Sequence, residues 1–181
     1  MAKALGPGRA VKGGIGSAAE ALPGGTVVGA LVAVNCFGEV VDPDTGRVLA
    51  GPRDEKCGFA STLDVLRKRP PSLLFGATNS TIGVVATNAH LTREQAYRLA
   101  VMAHDGLARA VRPAHTPVDG DVFFAVATGA GEQTADMIAL GALAARAVER
   151  AIVRGVTEAR GLAGVQSAGE WADERPSGTP A

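Results

Sequence analysis

The sequence predicts an α+β or α/β fold in which helices pack on a central sheet. Two observations support this class: three short runs of β-branched and apolar residues, and two longer segments with apolar residues at helical spacing. Their order along the chain is strand, connector, strand, helix, strand, helix. With 181 residues, a single domain over residues 1–155 is expected, followed by a polar, disordered tail at 156–181.

Composition excludes several classes of function. Lys plus Arg and Asp plus Glu number 18 each, so no strong field favours nucleic acid or an anionic membrane surface. The two cysteines lack the spacing of a zinc site or a disulfide framework. No signal peptide and no apolar run of membrane-spanning length occurs. These features predict a soluble cytoplasmic protein without metal.

The first 25 residues are rich in glycine and are predicted to form a loop. Gly14 to Ala19 superficially fits a dinucleotide fingerprint, but no predicted strand precedes it, so nucleotide binding is not expected. Lys12 lies beside this glycine run. On its own, a lysine in such a place is most simply a solvated side chain.

The first predicted strand covers Thr26 to Cys36. Its nearly continuous apolar sequence is typical of a strand buried on both faces. Asn35 is the polar exception near its end. Its side chain either forms a turn before Phe37 or donates an amide N–H to a developing oxyanion, and local sequence favours the turn.

Residues 38–71 contain several turn signals and are predicted to form a solvated, mobile connector with at most one short helix, over Leu63 to Lys68. The basic cluster at 67–69 is too short, and too poor in aromatic residues, to predict a nucleic-acid site.

The stretch from Ala77 to Asn88 is the best candidate for chemistry. Two hydroxyl residues, Ser80 and Thr81, run directly into a β-branched strand that ends at Thr87. A strand fixes the geometry of its first residues while the preceding loop leaves one end accessible, so Ser80 is a good position for a nucleophile.

A helix is predicted to begin at Arg93, because Thr92 and Gln95 have the spacing of a capping box, and to end before Pro113. His104 lies on this helix. The three histidines have no metal-ligand spacing, so each is expected to be exposed or satisfied by hydrogen bonds.

The third strand, Val122 to Thr128, follows two carboxylates, Asp119 and Asp121. Such a pair at the entrance of a strand either orients a nucleophile and carries protons or serves only the turn. A long and mostly buried helix is then predicted from Thr134 to Val153.

Five segments, taken together in their order along the chain, are specific: Val11–Ser17, Val28–Asn35, Asn79–Thr87, Ala103–Pro113 and Asp119–Asp121. They resemble the DmpA-type family of self-processing L-aminopeptidase/D-esterases, which includes β-peptidyl aminopeptidases and nylon-oligomer hydrolases. The resemblance spans most of residues 3–153.

The resemblance implies an αββα sandwich similar to the N-terminal-nucleophile hydrolases, and a chain that cleaves itself between Asn79 and Ser80. The new α-amine of Ser80 would then accept the proton of its own hydroxyl. Lys12 would support charge and proton placement, Asn35 would stabilise the oxyanion, and Asp119 with Asp121 would position the nucleophile. The substrates would be small peptides, amides or esters, with no cofactor, and a homo-oligomer is expected.

The sequence departs from the family pattern in two ways. Many relatives have Asn-Thr-Thr-Ile where this chain has Asn79-Ser-Thr-Ile82. Family precursors are also about twice as long, and the missing half would precede Met1, which predicts uncovered sheet edges and core faces. A catalytically incomplete fragment or structural subunit is therefore the alternative function. Asn79-Ser-Thr81 also fits a glycosylation acceptor, which is set aside because no secretory signal is present.

Overall fold

The main sheet has four strands, and its central pair carries the segments that the sequence predicts most clearly. The computed structural model describes residues 1–68, 79–131 and 136–173. In spatial order the strands are β1 (Ile15–Ala21), β2 (Val27–Ala33), β5 (Ile82–Thr87) and β7 (Val122–Ala127). The β1–β2 and β2–β5 pairs are antiparallel, whereas β5 and β7 are parallel.

A second, three-stranded sheet corrects the prediction of a mobile connector over residues 38–71. Its strands, in spatial order, are β4 (Val48–Ala50), β3 (Glu39–Val41) and β6 (Val111–Arg112). Val40, Val41 and Ala50 are buried. The pairing of β3 with β6 joins residues about 70 positions apart in sequence, which turn signals cannot reveal. The predicted short helix is present as α1 (Thr62–Lys68), and residues 69–71 lie outside the described residues.

Two long helices pack on the main sheet as predicted. Helix α2 (Arg93–Ala110) begins with the expected capping box: the Thr92 side chain accepts from the Gln95 backbone, and the Gln95 side chain accepts from the Thr92 backbone. Helix α3 (Met137–Thr157) is mostly buried and is capped by Asp136. It continues four residues beyond the predicted end at Val153, and the predicted start at Thr134 lies outside the described residues.

The first 25 residues were predicted to form a loop, and this prediction is wrong in part. They contribute strand β1 and a short 3-10 helix at Pro7–Arg9. Glycine serves close packing here. A Cβ added to Gly16 would lie 2.0 Å from the carbonyl oxygen of Ala151. The backbone of α3 therefore lies directly against β1, which only a residue without a side chain permits.

Among the described residues, helices cover one face of the main sheet and leave the other exposed, which corrects the prediction that Thr26–Cys36 is buried on both faces. Val28 and Val32 are fully buried on the helix side, while Leu31 is 51% exposed on the other. The outward face carries further exposed apolar side chains from all four strands: Ile15, Val27, Ile82, Phe124 and Val126. An apolar surface of this kind is typical of a face that another layer covers.

The chain after residue 155 is more ordered than the predicted disordered tail. Helix α4 covers Ala168–Asp173, and the Lys12 backbone N–H donates to the Gln166 carbonyl at 2.8 Å. The Trp171 indole N–H donates to the Gly58 carbonyl at 2.9 Å. These long-range contacts fix the segment as far as Asp173, and residues 174–181 lie outside the described residues. Among the helices of the described ranges, none is both long and apolar enough to cross a membrane.

Candidate functional site

Sheet pairing brings the predicted site segments together just beyond the ends of β2, β5 and β7. The Ser80 backbone N–H donates to the Asn35 carbonyl at 3.1 Å, which continues the β2–β5 pairing. Asn79 forms a parallel bridge with Asp119, which continues β5–β7. Asn35, the Asn79–Ser80 peptide and the acidic turn at 119–121 are therefore adjacent at one edge of the fold.

The carbonyl of Asn79 receives two hydrogen bonds. The Ser80 hydroxyl donates to it at 2.6 Å, and the Gly120 backbone N–H donates to it at 2.8 Å. The Asn79 residue is buried, being 3% exposed. A carbonyl polarised by a backbone N–H beside a hydroxyl is the arrangement in which that hydroxyl can attack and the developing oxyanion is stabilised.

The two carboxylates anchor the two sides of this edge. The Asp119 carboxylate accepts from the Phe37 backbone at 2.9 Å and from the backbone and hydroxyl of Thr116. The Asp121 carboxylate accepts from the backbone of Thr81 at 2.8 Å. Each acid thus holds a segment that carries a site residue, which is consistent with a positioning role as well as with turn formation.

Lys3 is a site residue that sequence reasoning missed. Its ammonium donates to the side-chain oxygen of Asn35 at 2.8 Å and to that of Asn79 at 3.1 Å. Burial lowers the pKa of Lys3, while Cys36 and Asp119 act in the opposite direction. No local motif marks this lysine, because only the folded chain brings residue 3 to residues 35 and 79.

Lys12 lies in the wall of the same region but makes a different contact. Its ammonium donates to the Gly13 carbonyl at 2.7 Å. Lys12 lines an open cleft of about 510 Å³ together with Lys3, Asn35 and Ser80. Both lysines therefore line the cleft to which Ser80 belongs, and Lys3 alone is hydrogen-bonded to the side chain of Asn79, the residue before Ser80.

Across residues 1–68, 79–131 and 136–173, no group of three or more His, Cys, Asp or Glu side chains is arranged to hold a metal ion. A hydroxyl and a backbone N–H bond the Asn79 carbonyl, and an ammonium and two carboxylates hold the neighbouring groups, a set that suits acyl-transfer chemistry.

Comparison with known proteins agrees with this chemistry. The sequence matches peptidase family S58 over residues 8–169. It is 39% identical over 179 residues to an uncharacterised aminopeptidase of Mycobacterium tuberculosis, covering 86% of this chain and 51% of that one. It is 29% identical over 141 residues to a 6-aminohexanoate-oligomer endohydrolase of Paenarthrobacter ureafaciens, covering 68% of this chain and 39% of that one. The chain spans about half the length or less of these relatives.

Solved structures of similar proteins share this fold. A β-aminopeptidase of Burkholderia sp. superposes with a TM-score of 0.57 at 27% identity, covering 90% of this chain and 48% of that one. The L-aminopeptidase D-Ala-esterase/amidase of Ochrobactrum anthropi superposes with a TM-score of 0.59 at 23% identity, covering 88% of this chain and 46% of that one. That structure is described as a variant of the N-terminal-nucleophile hydrolase fold. The predicted α+β class and its similarity to that fold are confirmed.

Proposed function

Because the chain belongs to peptidase family S58, we propose that it is a self-processing serine hydrolase that cleaves its own Asn79–Ser80 bond and then acts at the free amino end of small peptides, amides or esters. The observation that carries this proposal is the pair of hydrogen bonds, from the Ser80 hydroxyl and the Gly120 N–H, on the carbonyl of Asn79.

Self-cleavage would proceed by acyl transfer within the chain. The Ser80 Oγ bonds to the carbonyl carbon of Asn79, its proton passes to the Ser80 nitrogen, and the peptide C–N bond breaks to leave an ester. Water then hydrolyses the ester, giving a carboxylate on Asn79 and a Ser80 with a free α-amine and a free hydroxyl. That amine is the base that the hydroxyl needs for attack on a substrate.

The other residues have supporting roles in this proposal. The Gly120 N–H would stabilise the oxyanion during self-cleavage, and the Asn35 side chain would do so during substrate hydrolysis. Asp119 and Asp121 would position the nucleophile through the segments they anchor. Lys3 would hold Asn79 and Asn35 in place, and Lys12 would supply positive charge to the cleft in which a substrate binds.

A second candidate function is a structural subunit or an incomplete fragment of such a hydrolase. One observation favours it: the outward face of the main sheet exposes apolar side chains, as a face that another layer covers does. It predicts association through that face and no turnover of aminoacyl amides.

Intact mass spectrometry of the purified chain tests the proposal. Two products, residues 1–79 and 80–181, should accumulate, and Ser80→Ala should prevent their formation. Thr81→Val is the matched control, because the Thr81 hydroxyl is buried and has no hydrogen-bond partner among the described residues. A chain that stays intact would favour the second candidate, and loss of cleavage in Thr81→Val would argue against Ser80 as the nucleophile.

The cleaved protein should then hydrolyse an aminoacyl p-nitroanilide. The same substrate with an acetylated amine should not react, since the proposed activity requires a free amino end. Equal rates on the two would overturn the aminopeptidase assignment while leaving self-cleavage intact.

A further inference from the structure

The carboxylate of Asp121 has one oxygen engaged and one facing a histidine. Its side chain is 1% exposed, and its Oδ1 accepts from the Thr81 backbone. Its Oδ2 is buried and accepts no hydrogen bond from any described residue. The Nδ1 of His115 lies 3.5 Å from this oxygen, at ion-pair distance. A buried carboxylate is costly unless a partner compensates its charge, and His115 is placed to do so.

His115 is held in this position by unusual backbone and by a second histidine. Its φ is +54°, in the left-handed region that residues other than glycine seldom adopt and that is concentrated at functional sites. Its Nε2 lies 3.2 Å from Nδ1 of His104 on α2. The two rings are 4.8 Å apart between centroids.

His104 in turn packs against β7, the strand paired with β5. Its ring packs edge-on against Phe123 with 5.1 Å between centroids. The Phe123 ring fills the space that a side chain at Gly83 of β5 would need, since a Cβ there would lie 2.2 Å from Phe123 Cε1. A series of contacts thus links Gly83 of β5 to Phe123, His104 and His115. From His115 it continues through Asp121 to Thr81, the residue before β5.

The geometry allows one consistent hydrogen-bond arrangement for the two rings. Burial lowers the pKa of His104, and His115 lowers it further, against the opposing influence of Asp121 and Asp105. In the tautomer with its proton on Nε2, His104 can accept at Nδ1 from Nε2–H of His115. The other ring nitrogen of His115, Nδ1, faces Oδ2 of Asp121.

We propose that His115, braced by His104, is a positioning residue that compensates the buried Asp121 carboxylate and so fixes the Thr81 amide and the adjacent Ser80 for reaction. This inference rests on the proposed function for its kinetic consequence, but the contact itself can be measured without any activity. No motif spacing in the sequence predicts the contact between His115 and Asp121.

Two substitutions at His115 separate this role from backbone strain. Gly and Asn both tolerate a left-handed φ, but only Asn keeps an N–H donor where Nδ1 lies. His115→Gly should slow self-cleavage about 10- to 100-fold, whereas His115→Asn should stay within about threefold of wild type. Equal rates for the two folded variants, or a wild-type rate for His115→Gly, would overturn the proposal.

The Asp121→Asn background supplies a second kinetic test. The asparagine oxygen can still accept from Thr81 but carries no charge, so His115→Gly should add no further slowing in that background. Effects that multiply would show that His115 acts independently of Asp121 and would overturn the proposal.

Nuclear magnetic resonance of the uncleavable Ser80→Ala protein tests the contact alone. Asp121→Asn should shift the ¹⁵N signals of the His115 ring strongly and those of His90 little. Unchanged His115 signals would overturn the inference even if self-cleavage occurs. A shifted His115 signal in a protein whose wild type never cleaves would instead support the contact and reject the proposed function.

Discussion

Replacing Gly120 with alanine tests the geometry of the scissile peptide directly. A Cβ built on Gly120 would lie 2.8 Å from the Ser80 hydroxyl oxygen, whereas its distance to the Asn79 carbonyl oxygen would be 3.7 Å. Ordinary contact begins near 3.4 Å, so the hydroxyl must move. Because that hydroxyl is the end of a rotatable side chain, the serine is expected to turn while the surrounding backbone stays in place.

The size of the effect follows from the energy needed to return Ser80 to its present position. Overpacking by one methyl group costs about 1–3 kcal/mol when a side chain must be held away from its preferred position. If that cost is present only when the hydroxyl attacks, self-cleavage slows by about 5- to 150-fold, at roughly 1.4 kcal/mol for each factor of ten.

The assay is a time course of intact mass for the wild type, Gly120→Ala and a matched control, Gly29→Ala. Gly29 lies in β2 of the same sheet, and its added Cβ would meet nothing closer than 3.7 Å. The control should cleave at the wild-type rate, and thermal midpoints should differ by less than about 4 °C. A folded Gly120→Ala protein that cleaves as fast as the control would refute the assignment of the Ser80 hydroxyl as the attacking group.

Two further predictions concern the site lysine and the packing of the N-terminal strand. Lys3→Met should slow self-cleavage about 10- to 100-fold in the same mass assay, because it removes the charge-assisted hydrogen bonds to the side chains of Asn35 and Asn79. Lys12→Met is the matched variant, and its self-cleavage rate should stay within about threefold of the wild-type rate. The reverse ranking would assign the supporting charge to Lys12. Gly16→Ala should reduce the free energy of unfolding in urea by about 1–3 kcal/mol, since its Cβ would lie 2.0 Å from a carbonyl oxygen of α3. An unchanged value would mean that β1 and α3 are not in backbone contact.

Local sequence pattern was sufficient to predict the strands and helices whose apolar residues recur in a clear pattern. The β-branched run before Asn35 and the run after Ser80 became β2 and β5, and the capping box at Thr92 began α2 where expected. The family resemblance implied a common role for Asn35, Ser80 and the acidic turn, and the structure has them adjacent at one edge of the fold.

Sequence pattern predicted the wrong structure for segments whose conformation depends on the elements they pack against. Strand β1 was predicted as loop because its glycines are read as breakers, whereas Gly16 is required by the backbone of α3. The second sheet was missed because its strands are short and are completed by β6, far away in sequence. Strand β2 was predicted to be buried on both faces because its residues are apolar on both sides. An apolar sequence does not show whether another layer packs on each side of the sheet.

The sequence by itself determined the fold class, the helices and strands with strong periodicity, and the resemblance that singles out Ser80 and its neighbours. Only the tertiary structure decided which groups surround the Asn79–Ser80 peptide: the Gly120 N–H on the Asn79 carbonyl, the Lys3 ammonium on the Asn79 side chain, and the Asp121 carboxylate on the backbone of Thr81. The physical reason is that sequence periodicity reports which face of an element is apolar, whereas contacts between residues about 40 or more positions apart exist only after the sheet has set its register.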